Sequence, residues 1–406
     1  MGDAHASLVV ETLWSEVFGP ATRIRETIEE SVPHISDAPD AGEVDTTAPS
    51  CNESSWARHA VQTRAIALRV AAGGLLDTPR AGILTTIEFG AAADATLSEQ
   101  VRIAAGEQVS TRQILIDRDA TNASTHGRAP SDVDEGVTGA DEGRGGCERL
   151  TRDIAELDLP AVIGATASTD VVAGIAKHLC GPAFDAALRA MVSVAATHRG
   201  QLGVAMVGCC YGGCDWNSCC RATQGFFSSH GVGEDSFQTV CKAAGSMATI
   251  LRRMTAAAAA AAAEVAMVLG VTDTASIALQ ADRAAAVAIA EAIDTALLAQ
   301  PHRATGRDSP LDATTARRSI DNLCDPALAE IAGIGLAAAR VIASSEASAL
   351  QVSLQARRLL DEGRRRALES AGFQAKLLSE VVPHAISVEN TLLLALRPPT
   401  SENSFD

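Results

Sequence analysis

Two short segments concentrate the side chains able to do chemistry. The first, Lys177-His178-Leu179-Cys180-Gly181-Pro182-Ala183-Phe184-Asp185, holds an ammonium, an imidazole, a thiol and a carboxylate. The second is Cys209-Cys210-Tyr211-Gly212-Gly213-Cys214-Asp215-Trp216. These residue types suit proton transfer, stabilisation of a developing charge, or thiol chemistry. Packing does not call for Lys, His, Cys and Asp together, because an unpaired buried charge is costly. The cysteines have two plainer explanations. A free Cys often serves as a small apolar core residue. Alternatively Cys209, Cys210, Cys214, Cys219 and Cys220 could hold a metal, but Cys210 and Cys214 lack the second, well-separated pair that a structural zinc site prefers.

Three further positions belong with these two segments. Ile87-Glu88-Phe89-Gly90-Ala91 ends an apolar run in a small-residue turn, where a ligand can approach the backbone near the start of a helix. Asp117 ends the next apolar run, where an acid can accept both hydrogen bonds of a ribose diol. Asp153 lies one run further on. Each taken alone reads as an ordinary turn acid; their order along the chain joins them.

Elements that could position these residues alternate along the chain. Ile83–Glu88, Gln113–Asp117, Glu148–Arg152, Val171–Ala176 and Leu202–Gly208 read as strands separated by helical stretches. Continuous apolar strands between helices predict a doubly wound, mostly parallel α/β sheet with its ligand beyond the carboxyl ends of the strands. Residues 1–55 read as an amphipathic helix, with Leu8, Val9, Leu13, Val17 and Phe18 on one face, and a polar linker. Residues 56–254 form the first part of the α/β domain, with a polar, disordered insert at 119–146. The Ala-rich stretch 255–350, including the unbroken run Ala256–Ala263, reads as a helical or disordered insertion that packs weakly and holds no site. Residues 351–398 supply a closing Arg-rich helix and two strands, Phe373–Leu378 and Ser387–Leu396, joined by a hairpin at Pro383 and His384, before a tail at 399–406.

Composition narrows the classes. Hydrophobic residues make up 47% of the 406, yet only 3% are aromatic, so Leu, Ile and Val must build the core. No run of 18 apolar residues is free of charge, because Glu264 meets the alanine tract and Arg340 sits within 331–344; no membrane span is expected. Five of the ten cysteines fall between Cys209 and Cys220, too concentrated for a disulfide framework. The start MGDAHASLVVETLW has no basic segment followed by an apolar core, which together with the cysteine pattern predicts a cytoplasmic or nuclear protein. A net charge of −17 runs against nucleic-acid binding, but the acids cluster: 128–148 holds six against two arginines. Arginine dominates the cations, and Lys177 is one of only three lysines.

At this point the two segments resemble a known family. KHLCGPAFD and CCYGGCDW are similar to the paired signatures of the eukaryotic tRNA ribose 2'-O-methyltransferases that act on the fourth nucleotide of tRNA (the tRNA:m4X modification enzyme family). Supporting similarity runs in order along the chain: Arg58-His59-x-x-Gln62, IEFGA, LIDRD at 115–119, RDIAELDL at 152–159, LLDEGR at 359–364 and ISVENTLLLAL at 386–396. The resemblance covers roughly 56–250 and 351–396. It implies a Rossmann-like class I methyltransferase fold, S-adenosylmethionine as cofactor and tRNA as partner. Glu88, Phe89, Gly90, Ala91, Asp117 and Asp153 would hold the cofactor. Lys177 would stabilise the developing alkoxide of a ribose 2'-oxygen, His178 or Asp215 would act as base, and Cys180, Cys210 and Cys214 would shape the pocket. Arg357, Arg358, Arg364, Arg365 and Arg366 form either a solvated helix face paired with Asp361 and Glu362, or a contact to tRNA phosphates.

The chain departs from the family pattern in three places. The glycine-rich turn is Ala92-Ala93-Asp94-Ala95-Thr96-Leu97, the family's His-His pair is Tyr211-Gly212, and residues 1–55 offer only His5, His34 and Cys51 where the family has zinc fingers. The altered glycine turn and the missing His-His pair leave a rival function, a methyltransferase-like RNA- or protein-binding module without catalysis; the cysteine cluster leaves another, a thiol or zinc protein.

Overall fold

Alternating apolar runs and helices close into a seven-stranded sheet in the computed structural model, which describes residues 2–18, 55–76, 82–91, 96–106, 109–118, 146–298, 325–378 and 391–400. The strands are β1 (Ile83–Phe89), β2 (Ser110–Asp117), β3 (Cys147–Thr151), β4 (Val171–Leu179), β5 (Gln201–Gly208), β6 (Gln374–Leu378) and β7 (Leu392–Arg397). Their spatial order is β3-β2-β1-β4-β5-β7-β6. Strands β1 to β5 pair in parallel, and β7 runs antiparallel to both β5 and β6.

β1, β4 and β5 are buried along almost their whole length, as expected for parallel strands covered on both faces. One face packs on α4 (Leu159–Ile163) and α5 (Pro182–Ala195), with Leu368 of a later helix. The other packs on α2 (Ser55–Ala72) and α3 (Thr96–Ala105) through Ile66, Val70, Leu97 and Val101. The strand bounds expected from the sequence shift by a few residues; positions 387–390 of the expected final strand lie outside the described residues. The hairpin at Pro383 and His384, the linker, and the polar insert lie outside the described residues.

A second core is helical. It joins α6 (Arg221–Ser229), α7 (Glu234–Leu269), α8 (Thr274–Leu298), α9 (Pro326–Ser345) and α10 (Ala347–Ser370), with α1 (Gly2–Phe18) laid against α7 and α10. On α1 the buried residues are Val10, Leu13 and Trp14, whereas Leu8, expected on the apolar face, is 63% exposed. Helix α7 opens with Glu234 and Asp235 in its first turn, where acids meet the positive end of the helix dipole, and stops at Gly270 in the left-handed conformation.

Weak packing was the expectation for the Ala-rich stretch, and the structure corrects it. Ala258, Ala262, Ala284, Ala285 and Ala288 are at most 2% exposed. Small side chains let helix backbones approach closely, so many short contacts replace a few large ones. At Gly335 of α9, an added Cβ would lie 3.2 Å from the Ala258 carbonyl oxygen and 3.3 Å from the Ala284 Cβ. Helix α9 is long and apolar enough to cross a membrane by length and composition. Here its Ile331, Ala332, Leu336 and Ala339 are buried, and Arg340 pairs with Glu291 of α8.

Candidate active site

Because β1 to β5 run the same way, their carboxyl ends share one edge. From β1 the chain winds outward through β2 and β3, then returns to place β4 on the opposite side of β1. Such a reversal leaves a crevice at the strand ends, which is where ligands bind in open α/β sheets. All five segments singled out in the sequence end on this edge: Gly90-Ala91 after β1, Asp117 at the end of β2, Asp153 after β3, Lys177 to Cys180 at the end of β4, and Cys209 to Asp215 after β5.

The cofactor candidates divide there into two sets. Asp117 is half-buried at the strand end, and its carbonyl accepts from the Arg152 backbone N–H at 2.9 Å. The Asp153 side chain caps a short 3-10 turn by accepting from the Ala155 N–H at 2.9 Å. Glu88 and Phe89 are turned inward. Glu88 is 5% exposed and accepts from the Ser98 N–H at 2.9 Å and the Ser98 hydroxyl at 2.5 Å, so it anchors α3. Phe89 is fully buried in the sheet core, driven there by its apolar ring. The backbone N–H groups of Gly90 and Ala91 both bond to the Ile116 carbonyl, at 2.8 and 3.0 Å, so the turn offers its bare surface there rather than free donors. Residues 92–95, which include the altered glycine turn, lie outside the described residues.

Lys177 reaches across to α2, where its ammonium donates to the Thr63 hydroxyl at 2.7 Å. Thr63 escaped the sequence reading because a lone buried Thr in a helix carries no signal of its own. At His178 the strand register slips, and φ is +61°, the one non-glycine residue with positive φ among those described. A non-glycine residue held in that region stores of order 1–3 kcal/mol, and such strain clusters at functional sites. The following loop touches the loop after β5: the Gly181 N–H donates to the Cys210 carbonyl at 2.8 Å, and Cys180 Sγ lies 2.9 Å from Cys209 Sγ. Asp215 caps the next turn, accepting from the Ser218 N–H at 3.1 Å, which fixes its carboxylate.

The remaining cysteines are held inside. Cys214 is 2% exposed. A hydrogen bond from Cys241 and the nearby Arg364 guanidinium hold its thiol below the ordinary value despite burial. Cys241 and Cys219 are pushed up, the first mainly by that same hydrogen bond and the second by burial. Burial, with Cys180 and Cys210 as neighbours, raises Cys209 as well. Cys214 therefore supports the loop from below instead of lining a pocket, and Cys180 and Cys210 are the exposed members of the set.

Neither reading of the arginine cluster on α10 survives intact. Arg358 and Arg364 are 5% and 3% exposed, so they touch neither tRNA nor solvent. Arg364 bonds Asp185 of α5 at 2.9 and 3.3 Å, Asp361 at 3.3 Å and Cys214 Sγ at 3.2 Å, and it stacks over Phe184 at 4.3 Å. Burial opposes its charge, but Asp185 beside it outweighs that and holds the guanidinium above its ordinary value. Burial pushes Arg358 down to about 10. Arg357 donates to the Cys209 and Ala244 carbonyls at 2.9 and 3.2 Å. Arg365 and Arg366 both pair with Glu362 at 2.7 Å, and only Arg366 is exposed. A buried charge must be paired, and this sequence supplies the acids within one helical turn and from α5. The cluster thus locks α10 to the two loops.

The departure at Tyr211-Gly212 finds its cause in the same place. The Tyr211 hydroxyl donates to both Asp361 carboxylate oxygens at 3.0 and 2.9 Å. Gly212 packs on Gly245 of α7, where an added Cβ would meet the Gly245 Cα at 3.2 Å. A side chain at 212 would need the α7 backbone to give by a few tenths of an ångström.

Comparison with known proteins bears on this edge directly. No curated protein and no solved structure matches the chain. A family model does, described as Methyltransferase TRM13, over residues 61–290, which takes in Thr63, every candidate on the shared edge, α7 and most of α8. With more than half of the chain matched, the protein belongs to the TRM13 methyltransferase family, a family of tRNA methyltransferases.

Proposed function

We propose that this protein transfers a methyl group from S-adenosylmethionine to a ribose 2'-oxygen at the fourth nucleotide of tRNA, on a Rossmann-like class I methyltransferase fold. One observation carries the proposal: the crevice between β1 and β4 sets a half-buried carboxylate, Asp117, and the bare Gly90-Ala91 turn on the same edge as the Lys177-His178 and Cys209–Asp215 loops. Strand β7, the one antiparallel strand among the described residues, is inserted between β5 and β6, which supports the class of fold.

The residues present suit an adenosyl group. Asp117 can accept from both hydroxyls of a ribose, and Gly90, at φ +69°, keeps a side chain out of the turn. Bound S-adenosylmethionine supplies an electrophilic methyl on a sulfonium. A ribose hydroxyl is a poor nucleophile, so the chain must hold it in line and take or polarise its proton. Thr63 steadies the Lys177 ammonium, which stabilises the oxygen as negative charge grows there. His178 or Asp215 accepts the proton; the left-handed backbone aims the former, and the Ser218 amide orients the latter. For tRNA phosphates, Arg118 and Arg152 replace the α10 arginines, since both are exposed on this edge.

The test is incubation of the purified protein with methyl-labelled S-adenosylmethionine and unmodified tRNA, followed by nucleoside mass spectrometry of the product. A 2'-O-methylated nucleoside at the fourth position is expected. Label on a base, or binding of tRNA with no label transferred while cofactor is absent from titrations, would overturn the proposal in favour of another acceptor or a binding module.

A further inference from the structure

Three thiols meet at the junction of the loops after β4 and β5. Cys180, Cys209 and Cys210 place their Sγ atoms all within 4.8 Å of one another, with Cys180 to Cys209 at 2.9 Å and Cys209 to Cys210 at 3.5 Å. Three thiolates at the Zn–S length of about 2.3 Å in a tetrahedral arrangement stand roughly 3.8 Å apart, within the span found here. Hydrogen bonding accounts poorly for the cluster. The thiols of Cys180 and Cys209 both point to one carbonyl, that of His178, at 3.5 and 3.2 Å.

We propose that Cys180, Cys209 and Cys210 form a three-thiolate zinc(II) site that clamps the β4 and β5 loops together. Cys209 is buried and supplies the inner ligand, whereas Cys180 and Cys210 are exposed and leave one coordination position open to water. Three thiolates and a divalent ion leave one net negative charge. Arg357 lies beside it, donating to the Cys209 carbonyl at 2.9 Å and steadied over the Tyr211 ring at 4.8 Å. The clamp reinforces a junction that the backbone already makes, through the Gly181 N–H to the Cys210 carbonyl and the Cys209 N–H to the Leu179 carbonyl. It thereby fixes the spacing of Lys177 and His178 from Asp215. The site is distinct from Cys214 and Cys241, which bond each other deeper in the molecule, where Cys214 also accepts from Arg364. It does not rest on the methyltransferase reading, because its test reads metal alone.

The experiment is zinc uptake by the full chain, expressed without a metal-binding tag, reduced, stripped with chelator and dialysed against zinc chloride. Metal is measured by mass spectrometry and cobalt(II) is used as a spectroscopic substitute. About one zinc per chain and a thiolate-to-cobalt charge-transfer band are expected. Both fall at least tenfold in Cys180→Ala and in Cys210→Ala, which alter exposed positions, and both persist in Cys220→Ala; circular dichroism confirms that each variant is folded. Three results would overturn the proposal: no zinc above background in the reduced wild type, zinc retained by the Cys180→Ala/Cys210→Ala double variant, or zinc lost equally in Cys220→Ala.

Discussion

The roles proposed for Lys177 and Asp117 differ, and substitution separates them. Lys177 is fastened through its ammonium to Thr63, which on the proposed mechanism would set its charge in place before negative charge develops on an acceptor oxygen. Lys177→Met should slow methyl transfer roughly 10²–10³-fold, the usual loss for a preorganised stabilising donor, with cofactor affinity little changed. Single-turnover rates and cofactor titration check this; an equal loss in affinity would instead make Lys177 part of the cofactor seat. Asp117 should show the reverse. On the proposed role, Asp117→Ala would remove two charge-assisted hydrogen bonds and should raise the S-adenosylmethionine dissociation constant by about 10–100-fold, while the rate at saturation changes little. Calorimetry and saturation kinetics read the two effects.

Helix α10 shows how an element can look like a binding surface in sequence and be a brace in structure. Most of its charges are paired within the fold, so they answer to stability. Arg364→Leu leaves Asp185 buried without its guanidinium and strips Asp361 of its ion pair, leaving it the Tyr211 hydroxyl, and should cost about 3–5 kcal/mol, measured by urea denaturation. Glu362 gives a pH signature. Burial raises its carboxyl, but the guanidinium groups of Arg365, Arg366 and Arg358 outweigh burial and hold it below its ordinary value of 4.5. A depressed folded-state value means that its contribution is fully present above about pH 4.5 and is lost as pH falls through the lower folded value. The urea midpoint of the wild type should therefore approach that of Glu362→Gln as pH drops from about 6 to about 3.5, and exceed it by a constant margin above.

Across the molecule, two kinds of packing meet. The sheet buries Leu, Ile, Val and Phe on both faces, whereas α7, α8 and α9 close on alanine and glycine. The second kind tolerates deletion poorly and addition worse, because its contacts are between backbones. Gly335→Val should destabilise the chain by about 1–3 kcal/mol through overpacking against Ala258 and Ala284. Differential scanning calorimetry checks it, with Gly333→Ala as the comparison: an added Cβ there meets nothing within 4 Å, so stability should hold or rise by up to about 1 kcal/mol.

How far the sequence reaches depends on the range of the interaction. Local order was legible: continuous apolar runs marked β1, β4 and β5, the carboxyl-end segments fell in register on one edge, and KHLCGPAFD with CCYGGCDW pointed to the family. Periodicity also misplaced Leu8, and alanine content understated the helical core, because neither reports which neighbour arrives. The roles of individual side chains were legible only where one segment decides them. Asp185 and Arg364 lie 179 residues apart, and Tyr211 and Asp361 lie 150 apart; nothing in either segment marks these pairs, so Arg358 and Arg364, which read as part of a solvated face or a phosphate contact, proved to be internal. Strand pattern and turn chemistry are set by neighbours in the chain, and the sequence determined them. Burial of a charge, the left-handed backbone at His178 and the meeting of three thiols depend on which distant elements pack together, and only the tertiary structure decided those.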